Sequence, residues 1–293
     1  MAKILCICLS STIQRTINFN NIRLEKVNRS TSYRMDASGK ALNSARVLSQ
    51  LEKDCVQVIC PVGEKNKDLF VELAERDNLK IDYVTIPGFT RECWTLLDNN
   101  AGTTTEMVVG EPDLDFDIVS CEEKILDILK TKICEFDAVL FAGSKPKCFS
   151  EHIVSDIAKA SVSANKVFLA DYQGLELLNT LKNVIPSIIK INEEEFVTTF
   201  NLVQNATSYS DDELKKEIQK KSVELNNIVV VTRGHLPTFA SNKGEFVECP
   251  VEKVKAVNTT ACGDSFSAGF LYEYVNTGDF KSALKKGTWC AAR

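Results

Sequence analysis

The chain has 293 residues, 44% hydrophobic and 26% charged, with a net charge of −5. That acidic balance excludes a broad nucleic-acid surface, which needs a basic excess, and no apolar run reaches the ~20 residues of a bilayer-spanning helix. The opening M-A-K-I-L-C-I-C-L-S is apolar for only six residues after Lys3, too short for a signal-peptide core, so the expected location is the cytoplasm and no membrane partner is expected.

In chain order, residues 4–9 read as a buried strand, and Ala41, Leu42, Ala45, Leu48 and Leu51 form a helical stripe through 39–53. A strand at 56–60 and a helix at 67–76 follow, the latter with Leu69, Phe70 and Leu73 inward. The pattern resumes with a strand at 138–141, a helix at 150–164, a strand at 167–170, a helix near 174–183 and a strand at 188–191. A helix at 211–225 and a strand at 228–231 close the series. Strand–helix alternation of this kind predicts a mainly parallel sheet covered on both faces. Two stretches break the rhythm. Residues 10–35 lack a helical stripe, and 90–109 hold two β-like runs joined at Asn99-Asn100-Ala101-Gly102, a hairpin turn. Together they predict a small β lid inserted into one α/β domain spanning residues 1–293.

The 11 cysteines show no C-x-x-C spacing, and the 2 histidines, His152 and His235, lie far apart. Reduced cysteines acting as small core hydrophobes fit this better than disulfides or a metal site.

One stretch carries chemistry. Residues 257–270 read V-N-T-T-A-C-G-D-S-F-S-A-G-F, small residues leading into a helix expected to begin at Ser265. Such a loop exposes backbone N–H groups at the positive end of a helix dipole and binds anions. A carboxylate there repels its ligand unless it takes part in the reaction, as a base accepting the proton of an attacking hydroxyl during phosphoryl transfer. The alternative is that Asp264 only caps the helix. No Walker loop and no G-x-G-x-x-G accompanies the stretch.

Further segments decide between these readings. Residues 10–29 begin S-S-T-I-Q-R-T and end V-N-R; 38–48 read S-G-K-A-L-N-S-A-R-V-L; Phe89-Thr90-Arg91 precedes Thr105-Glu106. Weaker echoes are A-G-S-K-P at 142–146, K-I-N-E-E-E at 190–195 and V-V-T-R-G at 230–234. In order and spacing this set resembles the ribokinase-like sugar kinases, in particular the phosphofructokinase B branch containing 1-phosphofructokinase and tagatose-6-phosphate kinase. The resemblance implies a three-layer α/β/α fold with a mainly parallel central sheet and a small β-sheet lid.

It also implies roles. Asp264 would be the catalytic base, with the amides of Ala261, Cys262 and Gly263 as an anion hole for the γ-phosphate. Asn192 and Glu195 would organise Mg²⁺ through water, and Lys190, Thr232 and Gly234 would lie along ATP. Gln14, Gly39, Lys40, Asn43 and Ser144 would face the sugar, with Arg91, joined by either Arg29 or Lys40, gripping a phosphate already on it. In relatives of this kind the lid often pairs with a second lid, which implies a homodimer. Asn192 and Glu195 could instead serve only as a helix cap and its first-turn acid.

The sequence departs from the pattern where an aspartate is expected and Gln14 stands, and where glycines give way to Ser38, Ala41 and Ala261. If position 261 needs a positive φ, alanine strains it by about 1 kcal/mol or more. The expected activity is ATP-dependent phosphorylation of a phosphorylated ketohexose, fructose 1-phosphate or tagatose 6-phosphate. The alternatives are a kinase for a neutral sugar or nucleoside, and an inactive sugar-phosphate-binding regulator.

Overall fold

Ile4, Cys6 and Cys8 point to one side of the first strand and Leu5, Ile7 and Leu9 to the other, and all six are buried. A strand apolar on both faces belongs inside a sheet covered on both sides, and that is where the chain places it. The computed structural model describes residues 2–110, 117–202, 210–252, 254 and 261–293; residues 257–260 of the small-residue motif lie outside that set.

Among the described residues the strands are β1 (Ile4–Ile7), β2 (Thr12–Phe19), β3 (Ser32–Ser38), β4 (Val56–Gly63), β5 (Ile81–Ile86), β6 (Arg91–Asp98), β7 (Thr103–Val109), β8 (Ala138–Ala142), β9 (Val167–Asp171), β10 (Ile188–Asn192), β11 (Ile228–Arg233), β12 (Leu236–Asn242) and β13 (Glu245–Cys249). The helices are α1 (Lys40–Leu51), α2 (Lys67–Arg76), α3 (Ile118–Lys132), α4 (Ile153–Ser163), α5 (Gly174–Asn183), α6 (Glu193–Thr199), α7 (Asp211–Glu224), α8 (Cys262–Thr277) and α9 (Phe280–Ala291). A nine-stranded sheet runs β13-β12-β11-β10-β9-β8-β1-β4-β5. Its pairs from β11 to β5 are parallel, and β12 and β13 add an antiparallel edge. Apolar residues of α1, α2, α8 and α9 cover one face, and those of α3 to α7 cover the other. This is the three-layer α/β/α arrangement that the resemblance implies, and it sends the carboxyl ends of β9, β10 and β11 to one end of the sheet.

A four-stranded sheet, β3-β2-β6-β7, stands apart from the large one. Its register puts Gln14, Asp36 and Cys93 in one row, then Thr95 opposite Glu106. Because side chains alternate along a strand, these share one face, while Arg15, Met35, Trp94 and Met107 share the other. The turn joining β6 to β7 falls at the expected residues 99–102, its Asp98 carboxylate accepting from the Asn100 and Ala101 amides.

The alternation reads well from the sequence, but α3, β5 and the β12–β13 hairpin do not. α3 carries only the narrow stripe Cys121–Ile125–Leu129, and β5, at the edge of the sheet, buries only Val84 and Ile86. The helix expected from Ser265 starts earlier, at Cys262.

Candidate active site

Asp264 sits in the first turn of α8 and is 6% exposed. The N-cap of its helix is Ala261, whose φ of 66° is left-handed and whose side chain makes no capping bond. Asp264 does not cap the turn either. Asn43 Nδ2 of α1 donates to its Oδ2 at 2.9 Å, and Ser44 Oγ donates to its backbone carbonyl at 2.9 Å. The capping alternative for Asp264 therefore fails: the carboxylate is held by another helix and faces a cleft.

The neighbours of Asp264 form a buried charged cluster. Lys190 Nζ on β10 lies 3.0 Å from Asp171 Oδ2 at the end of β9, both side chains nearly inaccessible. Ser267 Oγ donates to the same Asp171 oxygen at 2.6 Å, and Lys40 Nζ stands 4.0 Å from the other. A Cβ on Gly263 would stand 3.0 Å from Lys190 Nζ, so the missing side chain lets that ammonium lie close against the start of α8 without shifting. Burial, and then the Asp171 charge, push the Asp264 carboxyl up to about 6, while Asn43, Lys190 and Lys40 oppose the rise. A carboxyl held there is poised to accept a proton near neutral pH. Burial opposes the charge on Lys40, but Asp171, Glu195 and Asp264 outweigh it and raise its pKa. Burial and the Asp264 charge push the Cys262 thiol up, which keeps it protonated.

A cleft of about 590 Å³ runs between the small sheet and the carboxyl ends of the large one. It gathers most of the sequence candidates: Gln14, Gly39, Lys40, Asn43 and Arg91 on the small-sheet side, Lys190, Asn192, Glu195, Thr232 and Gly234 beyond, and Ala261, Gly263 and Asp264 between. Gly39 has φ 131°, and a Cβ there would strike Cys8 Sγ at 2.6 Å. Arg29 is exposed on the loop between β2 and β3, outside the cleft lining. Ser144 is also outside it; its carbonyl accepts from Ser10 Oγ, and the Ser10 carbonyl accepts from Arg91 Nη2. Cys262 is outside the lining too.

Asn192 and Glu195 form a capping box on α6, each side chain bonding the other's backbone N–H. The cap reading is thus literally true of them, yet both also line the cleft. Gln14, standing where an aspartate was expected, donates from Nε2 to Thr95 Oγ1 at 2.5 Å, and Thr95 in turn approaches Glu106 at 3.4 Å.

Sequence reasoning missed Asp171, Ser267 and Thr95. Asp171 had a signal: an acid directly after the apolar run V-F-L-A, at the carboxyl end of a parallel strand, where such sheets place their sites. Ser267 and Thr95 become informative only once the fold brings them to Asp171 and Gln14.

A buried carboxyl raised to about 6, a helix N-cap without a side-chain acceptor and flanking lysines make a site that can take an anion beside a base. The chain belongs to the pfkB family of carbohydrate kinases, whose profile matches residues 1–293. A curated relative, tagatose-6-phosphate kinase of Staphylococcus epidermidis, is 26% identical over 284 residues, spanning 97% of this chain and 89% of that protein. The solved structure of phosphofructokinase-2 from Escherichia coli in complex with fructose-6-phosphate superposes with a TM-score of 0.86 at 18% identity, covering 100% of this chain and 93% of that one. A protein described as a possible 1-phosphofructokinase from Thermotoga maritima gives a TM-score of 0.84 at 19% identity, over 99% and 91% of the two chains. At those identities the two structures speak for the fold.

Proposed function

We propose that the protein transfers the γ-phosphoryl group of ATP to a hydroxyl of a phosphorylated ketohexose, of the tagatose 6-phosphate or fructose 1-phosphate type. The observation that carries this is Asp264, buried, raised toward neutrality and set in the first turn of a helix that opens on a cleft with Arg91 and Lys40. A neutral sugar needs no cationic grip, whereas a sugar phosphate does, and the guanidinium fork matches a phosphate. The name of the Staphylococcus relative points to the same substrate class.

In this mechanism the substrate hydroxyl bonds to an Asp264 carboxylate oxygen, which takes its proton as the oxygen attacks phosphorus in line. The first-turn amides of α8 receive the transferring group, and Lys190 and Lys40 offset its charge. Asn43 has one amide hydrogen on Asp264 and a second available to the sugar. Asn192, Glu195, Thr232 and Gly234 flank the nucleotide phosphates.

Among the described residues no group of three or more His, Cys, Asp or Glu side chains could hold a metal ion by itself. Mg²⁺ commonly takes one or two carboxylates with waters and phosphates, and Glu195, its carboxylate at the cleft, fits such an indirect role. Bound there, the ion neutralises charge on the nucleotide phosphates.

The exposed Tyr33, Met107 and Val109 on the outer face of the small sheet support a homodimer built on that face. Light scattering at micromolar protein tests it; a monomer removes it.

The functional test is purified protein with Mg·ATP and a panel of sugars, nucleosides and sugar phosphates, read as ADP release. Turnover of a ketohexose phosphate is expected. Turnover of only a neutral sugar or nucleoside overturns the substrate class, and sugar-phosphate binding without turnover makes the protein a regulator.

A further inference from the structure

Asn43 is aimed at Asp264 by a residue that is not itself part of the main cleft lining. Arg46 lies one turn further along α1, and its guanidinium makes a three-way junction. Nη1 donates to Asn43 Oδ1 at 3.3 Å, Nη2 to the Ala37 carbonyl at 2.8 Å, and Nε to Asp77 Oδ2 at 2.9 Å. Ser38 Oγ donates to the same Asn43 oxygen at 2.9 Å. With Oδ1 accepting twice, the carboxamide can turn only its NH₂ toward Asp264, where a carboxylate can do nothing but accept.

The junction reaches on into the small sheet. Asp77 also meets Arg76 at 3.4 Å and Arg34 at 3.6 Å, and both arginines hold Asp36 of β3 at 2.7 Å. Ala37 and Ser38 belong to β3 as well. One strand of the small sheet is therefore wired, through the Arg46 guanidinium and the Ser38 hydroxyl, to the Asn43 amide and so to the carboxylate at the start of α8.

We propose that Arg46 is a positioning residue that fixes the Asn43 carboxamide against Asp264 and couples that setting to the β3 edge of the small sheet. The proposal rests on the reading of Asp264 as the base. Lysine cannot do this work, because it lacks the planar fork that serves Asn43, Ala37 and Asp77 together.

Among the described residues, the charged and titratable groups facing Asp264 are Asp171 on β9, Lys190 on β10, Lys40 on α1 and Cys262 on its own helix. Arg46 acts on it through Asn43, whose hydrogen bond favours the ionised form. Releasing Asn43 leaves burial and Asp171 less opposed, so the carboxyl should titrate higher.

The test compares wild type with Arg46→Met and Asp77→Asn by three readouts: the pH dependence of kcat/KM, a ¹³C-carboxyl NMR titration of Asp264 assigned with Asp264→Asn, and thermal melting. Arg46→Met should lose about tenfold or more in kcat with KM for ATP unchanged. Its acid limb and its NMR titration should both move up by about half a unit. Asp77→Asn should move the same way by less. Lost kcat with both titrations unmoved would make Arg46 merely structural and overturn the proposal, as would full activity in Arg46→Met. If Arg46→Met does not fold, Arg46→Lys replaces it under the same expectations. A wild type that turns over no sugar phosphate would overturn the kinase reading alone, because the NMR titration still tests Arg46.

Discussion

Two helices begin at the same cleft and are finished in opposite ways. α6 closes its own first turn: Asn192 accepts from the Glu195 amide at 2.9 Å and Glu195 accepts from the Asn192 amide at 2.8 Å. α8 starts from Ala261, which has no side-chain oxygen to offer, and its first-turn acid is turned to Asn43 of another helix. Both termini carry the positive end of a helix dipole, but α6 satisfies the Asn192 and Glu195 amides with its own capping box, whereas among the described residues the N-cap of α8 offers no side-chain acceptor. A closed terminus stabilises the fold, whereas an open one beside a buried base can stabilise a transferring anion. The same residue types, a small or amide residue followed by an acid, thus serve different ends according to where the acid's side chain goes.

The largest effect should come from removing the acid of the open terminus. Asp264→Asn should lower kcat by about 10³-fold or more while leaving the melting temperature unchanged or higher; retained turnover would break the contrast between the termini. Next comes the support beneath it. Lys190→Met leaves the Asp171 charge buried and should cost about 3–5 kcal/mol in urea denaturation; a loss under about 1 kcal/mol would show that Ser267 and Lys40 suffice.

The third effect is on pH. Because Asp264 works ionised and its carboxyl is raised from 3.8 to about 6, kcat/KM should fall about tenfold per unit below pH 6. Stability runs the other way for this group. The folded state holds the proton more tightly than the unfolded chain, so the Asp264 contribution improves as pH falls from about 6 toward 3.8. The sum over all groups is read by comparing wild type with Asp264→Asn across that window.

The smallest effects concern the caps themselves. Asn192→Ala should cost about 1 kcal/mol of stability, the ordinary worth of a cap. Ala261→Gly should stabilise by about 0.5–1 kcal/mol, since it relieves left-handed strain at some cost in chain entropy. Thermal melts measure both, and destabilisation by Ala261→Gly would contradict the strained start of α8.

Much of this contrast was legible in the sequence. The N-x-x-E spacing at 192–195 announces a capping box, and the strand–helix alternation announces the parallel sheet that carries α6 and α8 to one end. Asp264 stood out because an acid among small residues is electrostatically odd. The cluster behind it was hidden, because Asp171, Lys190 and Ser267 are brought together only by neighbouring strands and the following helix. For the same reason Arg46 reads as an ordinary polar position on an amphipathic helix until Asn43, Ala37 and Asp77 surround it. Cys262 and Gly263 looked equivalent in the loop, but Gly263 lies against Lys190 and lines the cleft, whereas Cys262 is outside the lining.

The most direct measurement is phosphoryl transfer from Mg·ATP to tagatose 6-phosphate and to fructose 1-phosphate, by wild type and Asp264→Asn side by side, with the bisphosphate product detected by ³¹P NMR. The account predicts bisphosphate from at least one of the two with wild type, and from neither with the folded variant. Bisphosphate formed at comparable rates by both proteins would contradict it.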